Sequence, residues 1–320
     1  MKTIIVREKR PQISSIVDKA RMVAAPALTI NSGKGTSPKK SSHLCFIIQH
    51  MLMVKIIDTH SHLYSDKFHK DYDEVLSRAE DVLQAVLLPN IDLNSVDAMH
   101  DLAERAPGFC FPMMGLHPCD VQENWEEQLA NLKTYLEASP DRYVGIGETG
   151  LDLYWDNTTL DRQRSALKVQ VQWAKNTQLP IILHARDAID ETADVIEAEL
   201  NDSLSGVFHC FDGSLDQARR IIGFGSFKIG IGGIVTYRKD VQAVVAELPL
   251  ESIILETDSP YLPPEPHRKD KPRRNESGYT RYVCQKIADL KGLTYDEVAT
   301  QTNENALELF PSLAAKLQTA

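Results

Sequence analysis

The feature that most constrains the fold of this chain is a series of short apolar runs, each followed by a polar segment with helical spacing. Eight such runs lie downstream of residue 53 at spacings of 21 to 37 residues, and they begin near Val54, Gln84, Cys110, Tyr143, Pro180, Gly206, Phe227 and Ser252. This alternation is typical of parallel sheets, because each return to the same sheet edge requires a crossover connection. Eight strand-helix units suit a closed barrel of about 250 residues better than an open sheet. We therefore predict an α/β fold, a (β/α)8 TIM barrel.

The polar segments between the runs predict the outer helices of this barrel. Helical spacing of apolar residues is clearest from Asp71 to Val82, Trp125 to Ala138, Leu160 to Thr177 and Leu215 to Ile222. The last part of the chain, Gly278 to Leu317, is also helical in pattern, and we expect it to close the ring.

The first 52 residues differ from the rest of the chain. They contain nine Lys and Arg residues against two acidic residues, with a turn-forming stretch from Asn31 to Ser42 and no sustained periodicity. We predict a basic, disordered extension over residues 1–52 and the barrel domain over 53–320. Three explanations of the extension stay open: a transit peptide, a functional basic tail, or an upstream start with Met51 or Met53 as the true first residue.

The charge of the barrel domain restricts its partners. Residues 53–320 carry 26 basic against 43 acidic residues. An acidic body argues against broad electrostatic binding of nucleic acid, unless bound cations or a local basic loop reverse the sign where binding occurs.

Apolar content and cysteine usage restrict the class of protein further. The composition is 42% hydrophobic, as in a globular protein, and no stretch of 18 apolar residues is present, so we expect no membrane partner. The five cysteines include no CxxC pair, which argues against a disulfide framework or a zinc ribbon. A reducing, cytoplasmic compartment is the expectation.

Polar residues with metal-binding side chains stand at the downstream ends of five of the apolar runs. They are His60, His62, Glu148, His184, His209 and Asp258. The downstream ends of barrel strands converge on one face, so these side chains are expected to share a common mouth. A single histidine at a strand end is more often structural, but independent structural histidines have no reason to gather at one pole. Four imidazoles and two carboxylates are enough to hold two divalent ions.

The sequence around these residues resembles the TatD family of metal-dependent hydrolases, a branch of the amidohydrolase-like barrels. The matching motifs are IIDTHSHL at Ile56, GLHP at Gly115, GIGETGLD at Gly145, PIILHARDAID at Pro180, FHCF at Phe208 and ILETDSPYL at Ile254. The resemblance extends from about Val54 to Phe310 and leaves out the basic extension.

This resemblance implies a binuclear site for two divalent ions, Mg, Mn or Zn. The implied ligands are His60, His62 and Asp258 for one ion, His184 and His209 for the other, and Glu148 as the bridge. A water or hydroxide between the ions would be the nucleophile, because two cations lower its pKa.

Further roles are implied for two residues of this site and for a third histidine. Asp258 would also orient or deprotonate the water. His117, in GLHP, would bind a phosphate oxygen or assist the leaving group, although it could instead only stabilise the turn before Pro118. One position departs from the family pattern, since Tyr64 stands where an acidic residue usually follows the HxH pair. The departure removes no ligand and affects only the surroundings of the first ion.

A basic loop after the last strand bears on the substrate. The segment PHRKDKPRRNES contains the densest cationic cluster of the acidic body, made of Arg268, Lys269, Lys271, Arg273 and Arg274. Such clusters are often only solvated charge, but one at the catalytic face could also contact phosphates. Arg186 would assist, and Tyr154, Trp155 or Tyr261 would offer surfaces on which bases stack.

These observations favour a phosphodiester hydrolase, most simply a deoxyribonuclease that removes nucleotides from single-stranded or frayed DNA ends. The alternative is an amide, lactone or aminoacyl-ester hydrolase with the same metal cage, because the cage activates water for any electrophile. An inactive metal-binding protein is a third reading, which the complete ligand set disfavours. The pattern GxGxxG at Gly145, Gly147 and Gly150 does not open a helix, so we predict no nucleotide cofactor.

Overall fold

Eight short parallel strands alternate with helices along the chain, as the sequence predicts. The computed structural model describes residues 53–271 and 273–319, and the predictions made for residues 1–52 lie outside this part. The strands are β1 (Ile56–Asp58), β2 (Leu83–Pro89), β3 (Cys110–Met113), β4 (Ile146–Asp152), β5 (Ile181–Arg186), β6 (Gly206–Phe208), β7 (Phe227–Ile231) and β8 (Ile253–Leu255).

The helices confirm the predicted segments with shifts of at most one residue at their ends in the four clearest cases. They are α1 (Tyr72–Val82), α2 (Val96–Arg105), α3 (Trp125–Ala138), α4 (Leu160–Thr177), α5 (Ile189–Glu199), α6 (Leu215–Ile222), α7 (Lys239–Glu247), α8 (Thr280–Lys291), α9 (Tyr295–Leu309) and α10 (Pro311–Leu317). In the described part of the chain, no helix is both long and apolar enough to span a bilayer.

The strands form a closed ring of parallel neighbours. Strands β1–β3 pair in sequence order, and so do β4–β8. Two bridges join these sheets, one between Met114 and Ile146 and the other between Ser61 and Ser259. The backbone N–H of Thr59 also donates to the carbonyl of Leu255 at 3.0 Å, across the β1–β8 junction. The predicted (β/α)8 barrel is therefore confirmed.

Alternate residues of the strands serve two separate cores. On β1, Ile56 packs outward among the helices, whereas Ile57 belongs to the smaller core inside the barrel. Strands covered on both sides in this way read as continuous apolar runs, which is why the runs were visible in the sequence. Phe310, directly before α10, and Leu313, within it, pack into the inner core.

Two buried asparagines on α9 tie this helix to the beginnings of the strands. Asn303 accepts a hydrogen bond from the N–H of Ile57 at 3.0 Å. Asn305 donates to the carbonyl of Ile253 at 2.7 Å. The C-terminal helices thus close the end of the barrel where strands begin, and the opposite end stays open.

Candidate metal centre

The six predicted ligands converge at the end of the barrel where strands finish. His60 and His62 follow β1, Glu148 lies within β4, His184 within β5, His209 follows β6, and Asp258 follows β8. Strands β4 and β5 pack closely at Gly150, where any side chain would clash with the carbonyl oxygen of His184. This close packing brings Glu148 and His184 near each other. Gly150 also has φ +138, a conformation that favours glycine. The glycines of the GxGxxG pattern thus lie at a strand and not at a phosphate-binding turn.

Glu148 stands at the centre of the cluster and faces two groups of imidazoles. Its Oε2 lies 3.1 Å from Nε2 of His60 and 3.2 Å from Nε2 of His62. Its Oε1 lies 2.9 Å from Nδ1 of His184 and 2.9 Å from Nε2 of His209. One carboxylate therefore presents a separate oxygen to each half of the site.

Asp258 completes the first half of the cluster. Its Oδ1 lies 3.5 Å from Nε2 of His62 and 3.8 Å from Nε2 of His60. The backbone of Asp258 is left-handed, with φ +56, and its N–H donates to the carbonyl of His60 at 2.9 Å. A left-handed residue other than glycine costs about 1 kcal/mol, and such strain collects at functional sites.

His117 joins the second half of the cluster and also holds its own turn. Its Nε2 lies 3.2 Å from Oε1 of Glu148. Its Nδ1 accepts a hydrogen bond from the N–H of Cys119 at 3.1 Å. The two roles that the sequence left as alternatives, facing the site and stabilising the turn before Pro118, are thus compatible in one side chain.

The donor chemistry of the cluster fits divalent cations. Among the described residues, four sets of donor atoms lie within 4.8 Å of one another. Three surround Glu148 and are formed by His60 with His62 and Asp258, by His60 with Glu148 and His209, and by His117 with Glu148 and His184. The fourth is His209 with Cys210 and Glu256. Imidazole nitrogens with carboxylate oxygens suit zinc and manganese, and the carboxylates also suit magnesium. The six predicted ligands would therefore hold metal.

Each half of the cluster has a partner that orients an imidazole from its far side. His184 places Nε2 2.8 Å from Oδ2 of Asp152. His62 places Nδ1 3.0 Å from the hydroxyl of Tyr64, which donates its own proton to the carbonyl of Pro89 at 2.6 Å. The hydroxyl must then accept the Nδ1 proton of His62, which leaves Nε2 free to face Glu148. The tyrosine replaces the usual acidic residue as an acceptor.

Sequence reasoning missed two carboxylates beside the ligands, Asp152 and Glu256. Glu256 is fully buried, its Oε1 accepts from the N–H of Cys210, and the same oxygen lies 3.7 Å from Nδ1 of His209. Position was the available signal, because Asp152 lies four residues after Glu148 on β4 and Glu256 directly follows β8. Residues at even spacing along a strand share a face.

Burial and neighbouring charges shift the pKa values of the cluster in opposite directions. Burial raises the pKa of Glu148, but the surrounding imidazoles outweigh it and hold that pKa well below its usual range. Burial lowers the pKa of His60 to about 4. Burial also lowers the pKa of His184, but hydrogen bonds with Asp152 and Glu148 reverse this and raise it to about 9. An ionised carboxylate surrounded by imidazoles suits metal binding, because divalent cations can take the place of the protons on the imidazole nitrogens.

A cleft of about 780 Å³ opens over the cluster. Glu148 lies at its floor, and its walls include Lys67, Trp155, Arg186, Tyr237, Tyr261 and Arg273. Among the described residues, Lys67, Arg186 and Arg273 form no ion pair with a carboxylate. Lys67 instead lies 4.2 Å from the centre of the Tyr261 ring. Sequence reasoning missed Lys67, because no pattern marks a lone lysine in the loop after β1.

The structure divides the basic loop into free and engaged cations. The guanidinium of Arg268 lies 4.0 Å from the centre of the Tyr237 ring, and Arg273 lines the cleft. Arg274 differs, since its Nη2 lies 2.6 Å from Oδ2 of Asp71 and 2.9 Å from Oε1 of Glu276. Two carboxylates already occupy this guanidinium, which argues against the predicted contact of Arg274 with substrate.

Comparison with known proteins agrees with the motifs and the fold. The chain matches the family model described as TatD related DNase over residues 57–311. The Bacillus subtilis protein named Uncharacterized metal-dependent hydrolase YabD is 35% identical over 258 residues, which cover 80% of this chain and 98% of that protein. A Pantoea protein named 3'-5' ssDNA/RNA exonuclease TatD is 31% identical over 260 residues, which cover 80% of this chain and 99% of that protein.

A solved structure extends this agreement to three dimensions. The crystal structure of YjjV, a TatD homologue from Escherichia coli K12, superposes with a TM-score of 0.74 at 32% identity and covers 81% of this chain and 98% of that one. The family predicted from the motifs is thereby confirmed. Since sequence and fold agree over nearly the whole barrel, the chain belongs to the TatD family of metal-dependent hydrolases.

Proposed function

We propose that this protein is a deoxyribonuclease that removes nucleotides from single-stranded or frayed DNA ends with the help of two divalent metal ions. The observation that carries the proposal is a set of three cations, Lys67, Arg186 and Arg273, around the cleft that holds Glu148. None of them forms an ion pair with a carboxylate in the part of the chain that the structure describes. In a protein with more acidic than basic residues, a local concentration of free cations supports a polyanionic substrate. The exonuclease name of the Pantoea relative supports the same substrate class.

The proposed metal ligands follow from the two faces of Glu148. His60, His62 and Asp258 would hold one ion, His184 and His209 would hold the other, and Glu148 between the two groups would serve both. Bound divalent ions would lower the pKa of a water and offset negative charge on the phosphoryl group. The remaining chemistry belongs to side chains of the chain itself.

Asp258 and His117 are the proposed proton-handling residues. Asp258 remains ionised, because contacts with His62 and neighbouring imidazoles overcome burial and lower its pKa. Its carboxylate would take a proton from the attacking water as the new oxygen–phosphorus bond forms. The bond from phosphorus to the leaving oxygen then breaks, and His117 would stabilise or protonate that oxygen through Nε2.

A substrate panel tests this function. Metal-stripped protein, restored separately with Mg²⁺, Mn²⁺ or Zn²⁺, is incubated with single-stranded DNA, blunt and frayed duplexes, RNA, and small esters, lactones and amides. We expect single-stranded and frayed DNA to shorten nucleotide by nucleotide, and labels at either end reveal the direction. Hydrolysis of a small ester or amide with all nucleic acids intact would instead support the amide, lactone or aminoacyl-ester hydrolase.

A further inference from the structure

Two neighbouring aromatic side chains project into solvent at the edge of the cleft. Trp155 is 70% exposed and Tyr154 is 53% exposed, the highest values for large hydrophobic side chains in the described part of the chain. Leaving a large apolar side chain in water forgoes about 2 kcal/mol of burial free energy. Exposed aromatic surface beside a binding cleft is therefore a candidate contact for a ligand.

The segment that carries these rings is held by the same carboxylate that orients His184. Oδ1 of Asp152 accepts hydrogen bonds from the N–H groups of Tyr154 at 3.0 Å and Trp155 at 3.1 Å. Oδ2 of Asp152 lies 2.8 Å from Nε2 of His184. The backbone of the aromatic pair is thus held in place relative to the metal cluster, and a substrate subsite benefits from such preorganisation.

A free cation completes the aromatic pair. The Arg186 guanidinium lies 3.6 Å from the centre of the Tyr154 ring and 5.5 Å from that of Trp155. The two rings are 4.9 Å apart and nearly perpendicular, at 88°. Arg186 therefore covers the Tyr154 ring, whereas the indole of Trp155 keeps most of its surface open to solvent.

We propose that Trp155, Tyr154 and Arg186 form a subsite for one nucleobase and its adjoining phosphate. Trp155 provides the stacking surface, Tyr154 supports it from the side, and Arg186 contacts the phosphate. Single-strand binding sites combine stacked aromatic rings with cations in this way, because every base has a π face. The inference rests on the proposed nuclease function and identifies which part of the strand this edge of the cleft binds.

Direct binding to a nuclease-resistant strand tests the subsite. A fluorescent single-stranded phosphorothioate oligonucleotide is titrated with the full chain in Mg²⁺, and anisotropy reports affinity without turnover. Trp155→Ala is expected to weaken binding by about 5- to 150-fold, the range for loss of one stacked base. Trp155→Phe should recover most of the affinity. The matched control is Tyr135→Ala, which removes a 39% exposed aromatic ring on α3 and should leave affinity unchanged.

An abasic scan then separates base stacking from other roles. Each oligonucleotide carries one abasic nucleotide, at a different position in each. At one position the abasic nucleotide should weaken binding to the wild-type protein but should not weaken binding to Trp155→Ala any further. If every abasic nucleotide lowered the affinity of Trp155→Ala by the same factor as that of the wild-type protein, the subsite would be overturned. Degradation and binding of single-stranded DNA with no effect of Trp155→Ala would overturn the subsite alone. Failure of the wild-type protein to bind or cut any nucleic acid would overturn the nuclease function as well.

Discussion

Oδ2 of Asp152 lies 2.8 Å from Nε2 of His184, on the side of the imidazole opposite Glu148. A carboxylate in this position fixes the proton on Nε2 and leaves Nδ1 to face the cluster. Partners of this kind commonly change metal affinity or activity by about 10- to 100-fold when they are removed.

The first prediction concerns this pair. Asp152→Asn should weaken binding of Mn²⁺ or Zn²⁺ by about 10- to 100-fold, because the amide no longer fixes the His184 ring as a carboxylate does. Isothermal titration calorimetry on the metal-stripped protein measures the change. Asp161→Asn, on the exposed side of α4, is the matched control and should bind metal as the wild type does. Equal affinities for Asp152→Asn and wild type would remove Asp152 from the site.

A second prediction concerns the proposed bridge. Glu148→Gln should reduce hydrolysis to background, because the neutral amide cannot bridge two cations or offset their charge. Circular dichroism and thermal unfolding should still report a folded barrel. The same isostere at an exposed position, Glu127→Gln on α3, should keep full activity. Substantial turnover by Glu148→Gln would contradict the proposed site.

A third prediction concerns the free cations of the cleft. Arg273→Ala should weaken binding of single-stranded DNA and lower the slope of log affinity against log salt by about 0.7, the value for one phosphate contact on a single strand. Affinities measured from 50 to 300 mM salt provide the slope. Arg219→Ala removes an exposed arginine on α6 away from the cleft and should change neither quantity. An unchanged slope for Arg273→Ala would exclude this residue from phosphate binding.

For Arg274, the arginine of the same loop that is paired with carboxylates, we expect an effect on stability and none on DNA binding. Arg274→Ala should lower the free energy of unfolding by about 1 to 2 kcal/mol, because Asp71 and Glu276 lose hydrogen bonds to a charged partner. Its affinity for single-stranded DNA should match that of the wild type. Urea unfolding and anisotropy measure the two quantities on the same preparation. A large loss of DNA affinity at full stability would restore Arg274 as a substrate contact.

The Asp71–Arg274 pair also predicts a pH dependence of stability. The hydrogen bond from Arg274 lowers the pKa of Asp71 below its ordinary value of 3.8. A carboxyl with a depressed pKa stabilises the fold above its unfolded-state pKa, and that stability disappears as pH falls through the folded-state value. Asp71→Asn should therefore cost less than about 1 kcal/mol at pH 7, since the pair is partly solvent-screened. Urea unfolding should show the difference from wild type shrinking as pH falls through 3.8 toward the lower folded-state pKa, and constant near neutral pH.

The convergence of the six predicted ligands could be inferred from the sequence because it depends only on where the strands end. Parallel strands of one barrel all finish at the same face, so a polar residue directly after an apolar run is expected to lie at that face. His60 and Asp258 lie almost two hundred residues apart in sequence, and their meeting still follows from this rule. The same rule applies to Asp152, the last residue of β4, and to Glu256, directly after β8, although neither was identified from the sequence.

The sequence by itself determined the strands, most of the helices, the family and the residues around Glu148, because each depends on local pattern and strand direction. Only the tertiary structure decided which nitrogen of each imidazole faces Glu148, that Tyr64 accepts the His62 proton, and that Arg274 is occupied by Asp71. These outcomes depend on side-chain distances across the barrel, between residues as far as 203 positions apart. A periodic pattern carries no information about such distances, because a long side chain such as arginine can reach either the cleft or a neighbouring carboxylate from the same backbone position.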